Sequence, residues 1–222
     1  MPSPIPTFTE SRAAWVADLD QIAARDRWGL ALIGVGWLHL IVFLVCHAMH
    51  EYGDRRGWHY LAMWAIEFAS MLAIFRVVAG RGWIRATPLA GVIARVWGTV
   101  LILSFNLASL NSLMGLEHEW FKPVLCTVAA FGFMMMAYLI SNWFFAAAVQ
   151  MYFTGLIMVR YLDLAYVIHG VSWWAVLMIV GGTLQRRRRL LANRPVVVDV
   201  RVKAMPDAFN GRRLQFRVER PS

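Results

Sequence analysis

The sequence predicts an all-α polytopic membrane protein, and three observations carry that prediction. Residues 121–189 string together three apolar segments with almost no polar sequence between them. Each is roughly 20 residues long, enough to cross a ~30 Å hydrocarbon core as helix. Hydrophobic residues make up 59% of the chain against 16% charged, with a mean hydropathy of +0.54, a balance foreign to water-soluble domains. Four consecutive arginines, 186–189, close the last segment, as positive charge does on the cytoplasmic side of a membrane. Backbone groups in lipid must be satisfied within their own segment, so helix is the expected conformation throughout.

Residues 1–27 read as a cytoplasmic N-terminal segment. Trp15, Leu19 and Ile22 recur at i, i+4, i+7, with Asp18, Asp20, Arg25 and Asp26 between them. That spacing predicts an amphipathic helix, either lying on the inner membrane surface or solvated as a lead-in to the first span. A cleavable signal peptide is not expected, because the region before the apolar stretch is long and of mixed charge. Phe43-Leu44-Val45-Cys46 has the outline of a lipoprotein box, but Val45 is too large before the cysteine.

Residues 28–185 predict a six-helix transmembrane bundle, with spans near 28–50, 59–79, 89–113, 121–141, 142–161 and 162–184. Arg76, Arg81, Arg85 and Arg95 bracket the second turn, whereas Glu117, His118 and Glu119 occupy the next loop. Counting arginines in short loops puts both termini in the cytoplasm of a bacterial inner membrane. Arg55 and Arg56 are the discordant pair, and Glu51 and Asp54 sit beside them.

Residues 186–222 form a basic cytoplasmic tail in which the period changes to two. Val196, Val198, Val200 and Val202, then Leu214, Phe216 and Val218, alternate with polar residues. Pro206-Asp207 and Asn210-Gly211 are turn formers between them, so two short strands in a hairpin are expected. A lone hairpin is marginal in water and would lean on the membrane, the bundle or a protein partner. The net charge of +9 gathers at span ends and in this tail, and lysine is limited to Lys122 and Lys203. Anionic headgroups at the cytoplasmic face are the expected partner, rather than nucleic acid.

Ala65, Ala69 and Ala73 form a small-xxx-small stripe on the second span, extended by Ala62. Such stripes let backbones approach, so this face is expected to be buried against another helix. The histidines admit three readings. His39 or His47 paired with His169 would ligate a b-type haem. His47, His50 and Glu51 would form a transition-metal site near the outer surface. Alternatively, all serve interhelical hydrogen bonding. Counting along the spans puts His39, Glu67, Asn106 and His169 at one depth near mid-membrane, a buried polar layer. Glu67 is its pivot, expected to face inward within reach of His39 or His169, because an unpaired charge there is costly. Cys46 and Cys126 would form either a disulfide on an oxidising side or two buried thiols. No nucleophile elbow, P-loop, HExxH or dinucleotide fingerprint occurs, and Gly34-Val35-Gly36 lacks the third glycine.

Ala94-Arg95-Val96-Trp97, Lys122-Pro123-Val124-Leu125, Ser141-Asn142-Trp143-Phe144 with Ala146-Ala147-Ala148, and His169-Gly170 before a basic stop are the residues of a resemblance. Over residues 94–189 the chain is similar to the multi-span membrane domain attached to some planctomycete-type bacterial serine/threonine protein kinases. The kinase motifs are absent, so no catalytic residue carries over. The resemblance implies membrane anchoring linked to signalling. The leading expectation is therefore a non-enzymatic integral membrane scaffold, anchor or sensor. A haem- or quinone-associated subunit of a membrane redox complex is the alternative. A small-solute transporter is third, since no inverted repeat is visible.

Overall fold

The computed structural model describes residues 8–25, 27–53, 56–114 and 121–193, and these are all-α. Seven helices follow in order: α1 (Phe8–Arg25), α2 (Trp28–Glu51), α3 (Gly57–Val78), α4 (Pro88–Leu113), α5 (Phe121–Leu139), α6 (Phe144–Arg160) and α7 (Ala165–Ala192). Single 3₁₀ turns at Trp83–Arg85 and Leu162–Leu164 lead into α4 and α7. Glu117, His118 and Glu119, and the tail with its expected hairpin, lie outside the described residues.

Five of these helices, all but α1 and α6, are long and apolar enough to cross a membrane. Large apolar side chains such as Ile66, Ile102, Phe131 and Ile179 are more than half exposed around the bundle. Water would penalise such a belt, whereas hydrocarbon does not. Of the six spans expected, the one at 142–161 corresponds to the shorter apolar helix α6. α6 has 17 residues, about 26 Å of helix, because Ser141 to Trp143 form a turn rather than its first residues.

α2 and α7 share the largest helix contact among the described residues and run antiparallel. Their seam closes on glycine. A Cβ on Gly29 would stand 2.7 Å from the Gly181 carbonyl oxygen, and one on Gly181 equally close to the Gly29 oxygen. Further along, Gly170 leaves room for Phe43, whose Cβ would be 2.8 Å from an added methyl. α5, α6 and α7 form an antiparallel meander. Gln150 Nε2 donates to the Ser172 carbonyl oxygen at 3.2 Å, and Thr154 and Ser172 share a 2.7 Å hydroxyl bond across α6 and α7.

The alanine stripe is a correction. Ala62, Ala65, Ala69 and Ala73 are all exposed, and α3 buries just Tyr60 and Glu67. Glu67 is two residues from both Ala65 and Ala69, hence about 200° around the helix from each. One face of α3 turns inward, and it is the carboxylate face.

α1 docks on the arginine-rich end of the bundle against α7 and α4. Ile22 and Ala23 are buried, and Trp15 and Leu19 pack against the main core cluster. Two acids fix the dock. Leu89 N–H donates to Asp18 Oδ2 at 3.1 Å. The neighbouring Thr87 caps the same helix start, with Ala90 N–H donating to its Oγ1 at 3.1 Å. Pro88 takes the first helical position, where no N–H is missed. Asp20 pairs with Arg187, the second of the four arginines 186–189.

Candidate functional site

Four helices each contribute ionisable or phenolic side chains to one interior region. On α2, His39, Cys46 and His50 are spaced by seven and eleven residues, which returns them to one face within about 20°. On α3, Tyr60 and Glu67 share a face by the same seven-residue spacing. α5 supplies Lys122 and Cys126, and α7 supplies Tyr166 and His169, in each pair one turn apart. Every one of these nine side chains belongs to a buried residue.

The centre is the contact between His39 Nδ1 and Glu67 Oε1, at 2.5 Å. His39 lies about 17 Å along α2 from Trp28 and about 18 Å from Glu51, so the pair sits at mid-helix. The His39 ring is 5.6 Å from His169 and 5.6 Å from Trp173, centroid to centroid. His169 Nδ1 is 3.2 Å from Cys126 Sγ, which in turn is 3.6 Å from Met158 Sδ. His39 Nε2 is buried with no hydrogen-bond partner among the described residues.

Toward the end opposite the arginines lies a second group. Lys122 Nζ stands 3.4 Å above the centroid of the Tyr166 ring, a cation–π contact made stronger by desolvation. Tyr60 stacks on the same ring at 5.7 Å and 6°, and His50 meets it edge-on at 6.1 Å. Lys122 is 1% exposed, so its charge is taken fully from solvent, which is unusual for lysine at a span end.

With Lys122 at +1, an ionised Glu67 at −1 and His39, His50 and His169 all neutral, the charges of the group cancel. In that state His39 donates from Nδ1 to the carboxylate, and the unpartnered Nε2 is a bare lone pair. Adding one proton leaves a net charge of +1 and puts an N–H at Nε2 without an acceptor. The two proton counts differ sharply in solvation cost.

Of the expected polar layer, His39, Glu67 and His169 are brought together and Asn106 is not. Asn106 is exposed on α4, and the buried amide of that helix is Asn111, five residues on. Five residues turn the helix by about 140°, enough to exchange lipid for interior. The expected metal ligands diverge: His50 is buried, His47 half-buried and Glu51 exposed. No group of three His, Cys, Asp or Glu side chains that could hold a metal occurs among the described residues. Cys46 and Cys126 are free buried thiols. A haem does not fit between His39 and His169. Phe43 stacks on His169 at 4.8 Å and lies 4.3 Å from His39, and the glycine seam leaves no slot for a porphyrin between α2 and α7. Among the described residues no ring contact joins His47 to His169, which meets His39 and Phe43 instead.

Lys122, Tyr60 and Tyr166 were not singled out by the sequence reading. A lysine in the first turn of a span looks like an interfacial anchor. The available signal was the seven-residue spacing from Glu67 to Tyr60 and from His39 to Cys46 on neighbouring helices.

No family model, no curated protein and no solved structure matches the chain.

Proposed function

We propose that the chain is a non-enzymatic membrane sensor module in which the His39–Glu67 pair holds an exchangeable proton. Its arginine-rich end, with α1 docked there, is where that state reaches lipid or protein partners. The observation that carries the reading is the buried His39–Glu67 contact across α2 and α3. Glu67 is one of two buried residues on α3, so the bond strength of this pair bears directly on how α3 is held. Ionisable groups inside a membrane are expensive and are kept for such uses.

Six crossings belong to the same proposal. The antiparallel run of α5, α6 and α7, with α7 antiparallel to α2, favours α6 as a short sixth span. Both ends of the bundle then share one side, a reading that the Asp20–Arg187 pair supports. Arginine asymmetry makes that side cytoplasmic. Arg186 to Arg189 and the basic tail then face anionic headgroups, and the resemblance to kinase-attached membrane domains supports a link to signalling.

Trp173 provides the test, since an imidazolium 5.6 Å away quenches an indole. In lipid nanodiscs, tryptophan emission should change with pH in the unmodified chain. That change should be lost in Trp173→Phe, which assigns it, and in both Glu67→Gln and His39→Gln. A Glu67→Gln protein that remains folded by gel filtration and titrates like the unmodified chain overturns the reading.

A further inference from the structure

The interior is polar at one end and sealed at the other. Between the His39–Glu67 pair and the end opposite the arginines, each of four helices offers a buried polar group: His50 on α2, Tyr60 on α3, Lys122 on α5 and Tyr166 on α7. Lys122 and Tyr166 are the second residues of their helices, and His50 is the last but one of α2. Their rings and ammonium meet at Tyr166, within 3.4 to 6.1 Å. Cys46 lies between this group and Glu67 on the same α2 face.

On the arginine side of the pair the same helices bury no imidazole, phenol or amine among the described residues, although Trp28 Nε1, Trp174 Nε1 and Gln185 Oε1 are buried there. Trp173 touches His39 and His169, and beyond it Trp97 and Phe133 close edge-on and tilted contacts at 5.4 to 5.6 Å. A second aromatic layer follows, Trp28 against Phe75 and Trp83 at 5.7 and 5.6 Å. The buried cluster that spans this half is wholly apolar, and Ile22 of α1 is part of it. Gln150, Thr154 and Ser172 are buried or half-buried on α6 and α7, but they hydrogen-bond one another and the backbone.

We infer that protons reach the His39–Glu67 pair from the side opposite the arginines alone, through the His50–Tyr60–Tyr166–Lys122 group, with the aromatic layers closing the other side. The inference rests on the proton-holding reading of that pair and adds the compartment it samples. Protons move along groups that both accept and donate, such as phenols, imidazoles and the waters they hold, whereas a packed indole only donates and a phenyl ring does neither. The charges facing the pair are consistent with one entrance. α5 brings Lys122 and Cys126, α7 brings His169 and Tyr166, α2 brings Cys46 and α3 brings Tyr60. α4 and α6 bring no charge to it among the described residues, because Arg95 and Arg160 are exposed, and Asp18 and Asp20 of α1 are engaged at the arginine end. Lys122 at the mouth sets the electrostatics of entry: hydronium passes a cation, so exchange is slow and selective for proton hopping over cation entry.

The test uses the full chain in sealed proteoliposomes, with orientation scored by trypsin cleavage at the accessible arginine run. The readout is the infrared carboxyl band that Glu67→Gln removes, followed after a pH jump in one compartment. The band should follow a jump on the side opposite the arginines. It should ignore a jump on the arginine side until a protonophore equalises the two. Tyr166→Phe keeps the ring stack and the cation–π face but removes the hydroxyl, and should slow the response while reaching the same end value. A band that follows the arginine side, or both sides equally, overturns one-sided access and leaves the proton site standing. No band change under any jump, protonophore included, overturns the proton site itself. An unchanged rate in Tyr166→Phe removes that residue from the path.

Discussion

Tyr166 holds together more of the interior than any residue named from sequence. It is fully buried, stacks on Tyr60, meets His50 and Phe43 edge-on and offers its face to Lys122. Tyr166→Leu removes those ring contacts and leaves the lysine charge over an aliphatic chain, so it should cost about 3–5 kcal/mol, as large aromatic truncations do. Tyr166→Phe should cost far less. Thermal unfolding in detergent checks both, and equal losses would mean that the hydroxyl, not the ring, carries the stability. Asn106 is the opposite case. Because it faces outward on α4, Asn106→Leu should leave unfolding unchanged or raise its temperature. A clear drop would reveal a partner for the amide that the single chain does not contain.

Among elements, the α2–α7 seam is the least forgiving. A Cβ at Gly29 or Gly181 meets backbone atoms of the facing helix, which cannot swing aside as a side chain does. Gly181→Ala should therefore destabilise by about 1–3 kcal/mol, the range for overpacking, while Gly182→Ala one position on meets nothing within 4 Å and should not. The neighbouring pair makes the comparison internal, and a similar melting point for both variants would contradict the seam. α1 is held by charge as well as burial. Asp20→Arg should free it and expose its residues to protease, and Arg187→Asp in the same chain should restore protection, since the two partners merely exchange signs. Failure of the double variant to recover would assign the dock to Ile22 and Ala23 burial instead.

For the whole molecule, the arrangement separates an arginine-rich, apolar-sealed end from an end lined with histidine, tyrosine and lysine. Reporter fusions after residue 85 and after residue 189 should report the cytoplasm, and a fusion near residue 117 the opposite side. A cytoplasmic reporter near 117 would contradict an even number of crossings and reverse the compartment that the His39–Glu67 pair is inferred to sample.

Hydropathy alone located the helices, because length and apolar content are additive along the chain and lipid demands helix wherever they suffice. It placed α2 at Trp28, α3 within two residues of its start and α5 at Phe121. It also singled out Glu67 and His39, since a charge in the middle of a span is conspicuous whatever surrounds it. Which face of each span turns inward was decided by tertiary packing. Lipid tails and a protein interior are equally apolar, so a membrane helix carries little of the amphipathic signal that orients a helix in water. That is why the alanine stripe of α3 was expected inside and lies outside, and why Asn106, expected inside, is exposed while Asn111 is buried. Lys122 could have anchored at an interface or sunk into the bundle. The Tyr166 ring, 44 residues away in sequence, decided between them, and contact at that separation leaves no periodic trace in either helix.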